Sequence, residues 1–155
     1  MDAYTLSTLF RVLHVLGFSL WLGALLVEYW VGGAYARLEA SARAVYAGIH
    51  RNIDRTIIHL GVGLSVLAGL GMLFSIGLGT VFGTRGGWFH LKILLGFVAA
   101  ALQMWANLSF KRALEALTSG QEGAWGRAYR RWRLLAGLVL LMLLYNLLTG
   151  VISTA

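Results

Sequence analysis

The 155-residue sequence contains no cysteine and no proline, and only 12% of it is charged. Without cysteine there is no disulfide, no thiolate metal site and no sulfur nucleophile. Without proline, any kink in a helix must come from glycine or a π-bulge. The shortage of charge excludes an ordinary soluble domain, in which about a quarter of residues are charged. Soluble-enzyme signatures are missing as well: there is no P-loop, no G-x-G-x-x-G after a strand and no nucleophile elbow. Ser65 and Ser75 have no base within a recognisable motif.

What is present is apolar surface. Hydrophobic residues make up 59% of the chain, including 6 Trp, 6 Tyr and 7 Phe. Four apolar stretches, at about 6–34, 56–78, 88–110 and 134–152, each approach the ~20 residues a helix needs to cross hydrocarbon. Their length and the lack of ten-residue alternation predict helices rather than barrel strands. The expected fold is all-α: a single transmembrane domain over 1–155, built as an antiparallel four-helix membrane bundle. The first run, 6–36, exceeds a signal-peptide core of ~7–15 residues and lacks a basic leader, so it reads as a retained span. Ala40-Ser41-Ala42 lies too far downstream to serve as a cleavage site.

Lys and Arg number 13 against 6 Asp and Glu. In a soluble chain that excess suggests nucleic acid. Here it falls between apolar runs, which argues instead for loops held at an anionic leaflet and against a nucleic-acid partner. Arg37, Arg43, Arg51 and Arg55 come after the first span, and Lys111, Arg112, Arg127, Arg130, Arg131 and Arg133 after the third. The opposite side has Arg85 alone. The positive-inside rule places both basic segments in the cytoplasm and both termini outside, on the periplasmic side of a bacterial inner membrane. Both segments are expected to carry amphipathic helix. In the first, Leu38, Ala42, Val45, Ile49 and Ile53 form a stripe read as packing against neighbouring helices. Residues 79–87 read as a glycine-rich outer loop. Gly61, Ser65 and Gly69, four apart, form a small-xxx-small row suited to close helix packing within the bundle.

Ionisable groups inside a span are costly unless they are paired, snorkelling or facing water. At about 1.5 Å per residue, His14 lies about 12 Å below the outer end of its span, His90 and Lys92 about 3–6 Å, and Asn146 about 9 Å. Arg11 sits one turn from His14. Arg11, His14, His90, Lys92 and Asn146, with Tyr145 beside them, can therefore share the outer half of one bundle. Such a set suits an anionic ligand, such as porphyrin propionates, or a quinone oxygen. Arg11, His90 and Lys92 have snorkelling as their alternative. An inner group comprises His50, Asp54, Arg55 and His59, with Glu28 and Tyr29 nearby. His50, Asp54 and Arg55 read as an interfacial ion-pair set, whereas His59, a turn deeper, is a candidate ligand. Histidines on facing helices commonly hold haem, so His14, His59 and His90 are the candidate ligands for haem b or a metal ion. Met72 and Met104 read as core filler rather than soft ligands.

The segments Arg11-Val12-Leu13-His14-Val15-Leu16-Gly17 and Trp21-Leu22-Gly23-Ala24 resemble the first span of the CopD and HemJ-type membrane proteins. Gly87-Trp88-Phe89-His90-Leu91-Lys92-Ile93 is similar to the start of the third span in HemJ-type protoporphyrinogen oxidases. The resemblance covers roughly the first 112 residues. It implies bound haem b and oxidation of a porphyrinogen, with His14 and Lys92 as catalytic residues. Lys92 would bind a substrate carboxylate, and His14 would ligate iron or move protons. Gln103 stands where the HemJ type has a further histidine, and the last span lacks that type's glutamate and proline. Three functions stand as expectations: a haem-linked oxidoreductase acting on a porphyrinogen or quinol, a non-catalytic cytochrome or accessory subunit of a homo-oligomer or larger complex, and CopD-like copper handling.

Overall fold

In hydrocarbon a backbone amide has no water to bond, so a long apolar run closes its own i to i−4 bonds and continues until something ends it. The computed structural model describes residues 3–35, 38–77, 79, 80, 83 and 87–152. In it α1 runs Ala3–Tyr35, α2 Ala40–Ile53, α3 His59–Ile76, α4 Gly87–Thr118 and α5 Glu122–Ile152. A π-helical segment, Asp54–Ile58, joins α2 to α3 without a break. Among the described residues, four helical rods are long and apolar enough to cross a membrane: Tyr4–Ala34, Ser41–Ile76, Gly87–Thr118 and Glu122–Thr149. The protein is an all-helical four-helix bundle whose spans contact lipid.

Each rod outruns the apolar stretch that announced it. The 33 residues of α1 would span about 50 Å, against a hydrocarbon core of about 30 Å. The basic segments are thus mostly continuations of the spanning helices. Arg112 rides on the end of α4, and Arg127, Arg130, Arg131 and Arg133 on the start of α5. The turn between them is short because Gly120 adopts φ +71°. Its N–H bonds the Leu117 carbonyl at 3.2 Å, and the Gln121 N–H bonds that of Ala116 at 2.9 Å. This pair of bonds is a Schellman cap, which favours glycine at the left-handed position. Gly77, also at positive φ (+87°) but with ψ 125°, ends α3. Arg37, Arg85 and most of the 79–87 segment lie outside the described residues.

The expected packing stripe holds only at its ends, where Leu38 packs against the core and Ile53 is half-buried. Ala42, Val45 and Ile49 are exposed, while Ala47 and His50 turn inward. The cause is the polar contact of His50 with Glu28 on α1, which outweighs the burial of three modest apolar side chains. The stripe that does carry packing lies on α4 and α5. Buried residues recur on α4 at Ala99, Gln103, Ala106, Phe110 and Ala113, and on α5 at Trp125, Tyr129, Trp132, Ala136, Val139 and Leu143. These spacings alternate four and three, the pattern of a coiled-coil seam.

Between α1 and α3 the contact is backbone against backbone. A Cβ built on Gly17 would stand 2.4 Å from the Ser65 nitrogen, and one on Gly61 would stand 2.6 Å from that of Trp21. Gly71 receives the Phe10 ring and Gly69 the His14 ring. The small-xxx-small row therefore serves packing inside the bundle, where close approach substitutes for a hydrophobic force that lipid does not provide. Gly17→Ala should lower the thermal midpoint in detergent, by an overpacking cost of roughly 1–3 kcal/mol. Gly23 has nothing within 4 Å of its Cβ position. There the same substitution should be neutral or raise the midpoint slightly, as alanine is the better helix former. Equal effects at the two sites would contradict the close approach.

Candidate functional site

Polar groups inside the bundle gather at two levels. At the level nearer the two termini, the α1–α3 contact lays the half-buried His14 ring against α3. Its Nδ1–H donates to the Ser65 carbonyl at 2.6 Å, with the Ser65 hydroxyl 3.5 Å away. A carbonyl can only accept, so the proton belongs on Nδ1 and the lone pair on Nε2. Imidazoles that bind iron or other metals are commonly oriented in this way, with one nitrogen tied to a carbonyl and the other free to coordinate. Gly69 makes room for the ring: a Cβ there would lie 3.1 Å from His14 Nδ1.

The remaining outer candidates sit on other faces and helices. Arg11 is exposed, a turn above His14. His90 and Lys92 are half-buried near the start of α4, and the His90 ring meets the Phe89 ring edge-on at 6.4 Å. Asn146 is half-buried on α5, and its Oδ1 is buried without a hydrogen-bond partner among the described residues. Tyr145 is half-buried beside it, its carbonyl accepting from the Thr149 hydroxyl at 2.9 Å. No hydrogen bond or ion pair joins Arg11, His14, Lys92 and Asn146 to one another among the described residues.

The level farther from the termini is more completely built. Glu28 on α1 and His50 on α2 are 2% and 3% exposed, and Glu28 Oε2 lies 3.4 Å from His50 Nε2. The imidazole stacks on Phe110 of α4, with centroids 3.7 Å apart, and meets the edge of Trp132 of α5 at 4.7 Å. One buried ring thus touches three other helices. Asp54 begins the π segment one turn beyond His50. Its carbonyl accepts both the backbone N–H and the Nδ1–H of His59, the latter at 2.6 Å. A second His59 contact reaches Asp54 Oδ1 at 3.9 Å. The His59 side chain is itself 57% exposed. Nearby, Arg133 lies over the Tyr29 ring at 5.3 Å, and the Tyr129 hydroxyl donates to the Gly32 carbonyl at 2.6 Å.

His50 is therefore not the interfacial ion-pair member expected from sequence. It is buried, and its partner is Glu28, 22 positions before it on another helix, rather than Asp54. That separation hides the pair from any reading by helical spacing. Arg55 is exposed, as expected of an interfacial residue. Gln103 has a structural role that its place in the sequence does not reveal. It accepts the Trp21 indole N–H at 3.2 Å and donates to Asn107 at 2.8 Å, tying α1 to α4 at mid-depth.

Among the described residues, no three His, Cys, Asp or Glu side chains gather as they would around a bare metal ion. No family model matches the chain, and neither does any curated protein or solved structure.

The Glu28–His50 pair makes a stability prediction. Removing one partner of a buried polar pair leaves the other unsatisfied and costs about 1–3 kcal/mol, whereas replacing both with apolar groups is often neutral. His50→Ala should therefore lower the thermal midpoint sharply, and Glu28→Leu added to it should recover part of the loss. Further destabilisation by Glu28→Leu on that background would exclude a mutually compensating pair.

Proposed function

We propose that the chain is a haem b-binding protein of a bacterial inner membrane, with His14 as an axial ligand and with oxidoreductase chemistry of the HemJ type in its outer half. The observation that carries this reading is the His14 Nδ1 bond to the Ser65 carbonyl, which reserves Nε2 for coordination. The residues fit the group. The ligand imidazole is already oriented, the α3–α4 seam is sparsely packed, and Asn146 Oδ1 is a buried acceptor with no partner among the described residues. Haem asks the protein for at most two axial side chains, so it does not require a cluster of three ligands. His59, whose Nδ1 is likewise bonded to a carbonyl, and His90 are the further candidate ligands.

When bound, haem supplies one-electron transfer. The chain's own residues do the rest. His14 holds the ligand nitrogen in one tautomer. Lys92 and Arg11 place positive charge at the outer level, where a porphyrin or quinone-like substrate carrying carboxylate or developing negative charge would be held. An antiparallel bundle with both termini outside agrees with the contacts of α1 on α3, which run from Trp21–Gly61 to Phe10–Gly71. It also agrees with the grouping of basic residues at the other end.

The purified protein should show a Soret band with split α and β bands. His14→Ala should remove most of that absorbance, and Gly69→Val, which crowds the ring without deleting it, should reduce it. Full haem occupancy in His14→Ala would eliminate this ligand. Lys92→Ala separates the enzyme from a plain cytochrome: it should keep the spectrum yet fail to relieve porphyrinogen accumulation in a deficient strain. Relief by Lys92→Ala equal to the parent would remove Lys92 from catalysis, and no relief by the parent itself would assign the chain to non-catalytic electron transfer or an accessory role.

A further inference from the structure

Where α4 and α5 leave the apolar zone they enclose an open groove of about 250 Å³, lined by Ser109, Arg112, Ala124, Arg127, Ala128 and Arg131. Three arginine side chains thus line one small volume with no carboxylate in its lining. The nearby acids are engaged elsewhere: Glu122 pairs with Arg43 at 3.2 Å, and Glu115 with Lys111 at 4.0 Å. Among the described residues, Arg112, Arg127 and Arg131 have no carboxylate partner. Like charges brought together without an acid repel one another, and an anion from outside relieves that repulsion. Guanidinium forks match phosphate oxygens in particular.

The surroundings say which phosphate. Helical spacing continues the groove's face on α4 through Leu108 and Trp105, and on α5 through Leu134 and Leu138. All four are substantially exposed, Leu134 at 71% and Leu108 at 55%. Arg131 spans the change of surface, its guanidinium 4.9 Å from the centre of the Trp105 ring. An arginine on an exposed tryptophan, with leucine on one side and three positive charges on the other, is the arrangement of a headgroup level. A free phosphate would use the arginines and ignore the apolar track, whereas a phospholipid uses both.

We propose that this groove binds the phosphate of an anionic glycerophospholipid from the leaflet on the basic side, with the acyl chains along Trp105, Leu108, Leu134 and Leu138. The site does not depend on haem. Native mass spectrometry of the full chain in detergent, given equal phosphatidylglycerol and phosphatidylcholine, should show phosphatidylglycerol retained preferentially. Arg127→Gln and Arg131→Gln should each weaken that retention about fivefold, the loss of about one hydrogen bond to the headgroup. Arg127→Lys should lose less. Arg130→Gln removes the same charge from the same helix but outside the groove, so it should leave retention unchanged. These are exposed positions, and unchanged circular dichroism would show that the fold is kept. Equal retention of the two lipids, or an Arg130→Gln loss as large as that of Arg127→Gln, would overturn the site. A separate arm with inorganic phosphate tests the source, since phosphate bound without preference for the anionic lipid would overturn the lipid assignment.

Discussion

The backbone of α1 lies directly on the backbone of α3, and most of the arrangement depends on that contact. In water, two apolar helices are driven together by the surface they hide. In lipid that drive is absent, and what remains is dispersion between closely fitted atoms together with polar bonds. Gly17 and Gly61 remove the side chains that would hold the axes apart. Only at that separation can the His14 ring reach a carbonyl on the neighbouring helix, because a helical carbonyl is normally screened by the side chains around it. The chemistry proposed for the outer level is therefore a product of glycine placement as much as of histidine placement.

The other half of the bundle is assembled on a different principle. Along α4 the seam alternates small and large residues, Ala99, Gln103, Ala106, Phe110 and Ala113, and on α5 Trp125, Tyr129 and Trp132 stack one after the next. The two halves share an apolar core, with Leu25 and Ile58 on one side and Val139 and Leu143 on the other, and directional contacts cross it: His50 against Phe110 and Trp132, Trp21 to Gln103, and Tyr129 to Gly32. Directional bonds fix rotation about a helix axis better than leucine packing does. They hold α1 and the α2–α3 rod to one orientation against α4 and α5. A bundle joined in this way can keep a loose seam at the end that holds its termini and a rigid one at the other.

The spans, the helical class and the role of the Gly61–Ser65–Gly69 row were legible in the sequence, because length, hydropathy and residue size each act locally. The boundaries were not, since an apolar run marks where lipid is and not where hydrogen bonding stops. The helices continue through Arg112 and Arg131 because no proline or early glycine stops them. The inward face of α2 was unreadable for a different reason. Ala42, Val45 and Ile49 make the better hydrophobic stripe, and only the presence of Glu28 on another helix turns His50 inward. Of the outer candidates, the placement of His14 between α1 and α3 could be anticipated from its depth. Its bond to Ser65 could not, because it depends on the register of two helices some 50 positions apart.

The π segment Asp54–Ile58 closes its hydrogen bonds one residue further along than an α-helix does. The extra residue amounts to a rotation of about 100° between α2 on one side of it and α3 on the other. That offset lets one continuous rod present His50 to the aromatic wall at one end and Gly61, Ser65 and Gly69 to α1 at the other. Were the residue deleted, the two faces would fall out of phase, and the rod could satisfy the buried acid or the glycine contact but not both at once. A single inserted position thus acts as the phase adjuster between two halves of a helix with different tasks.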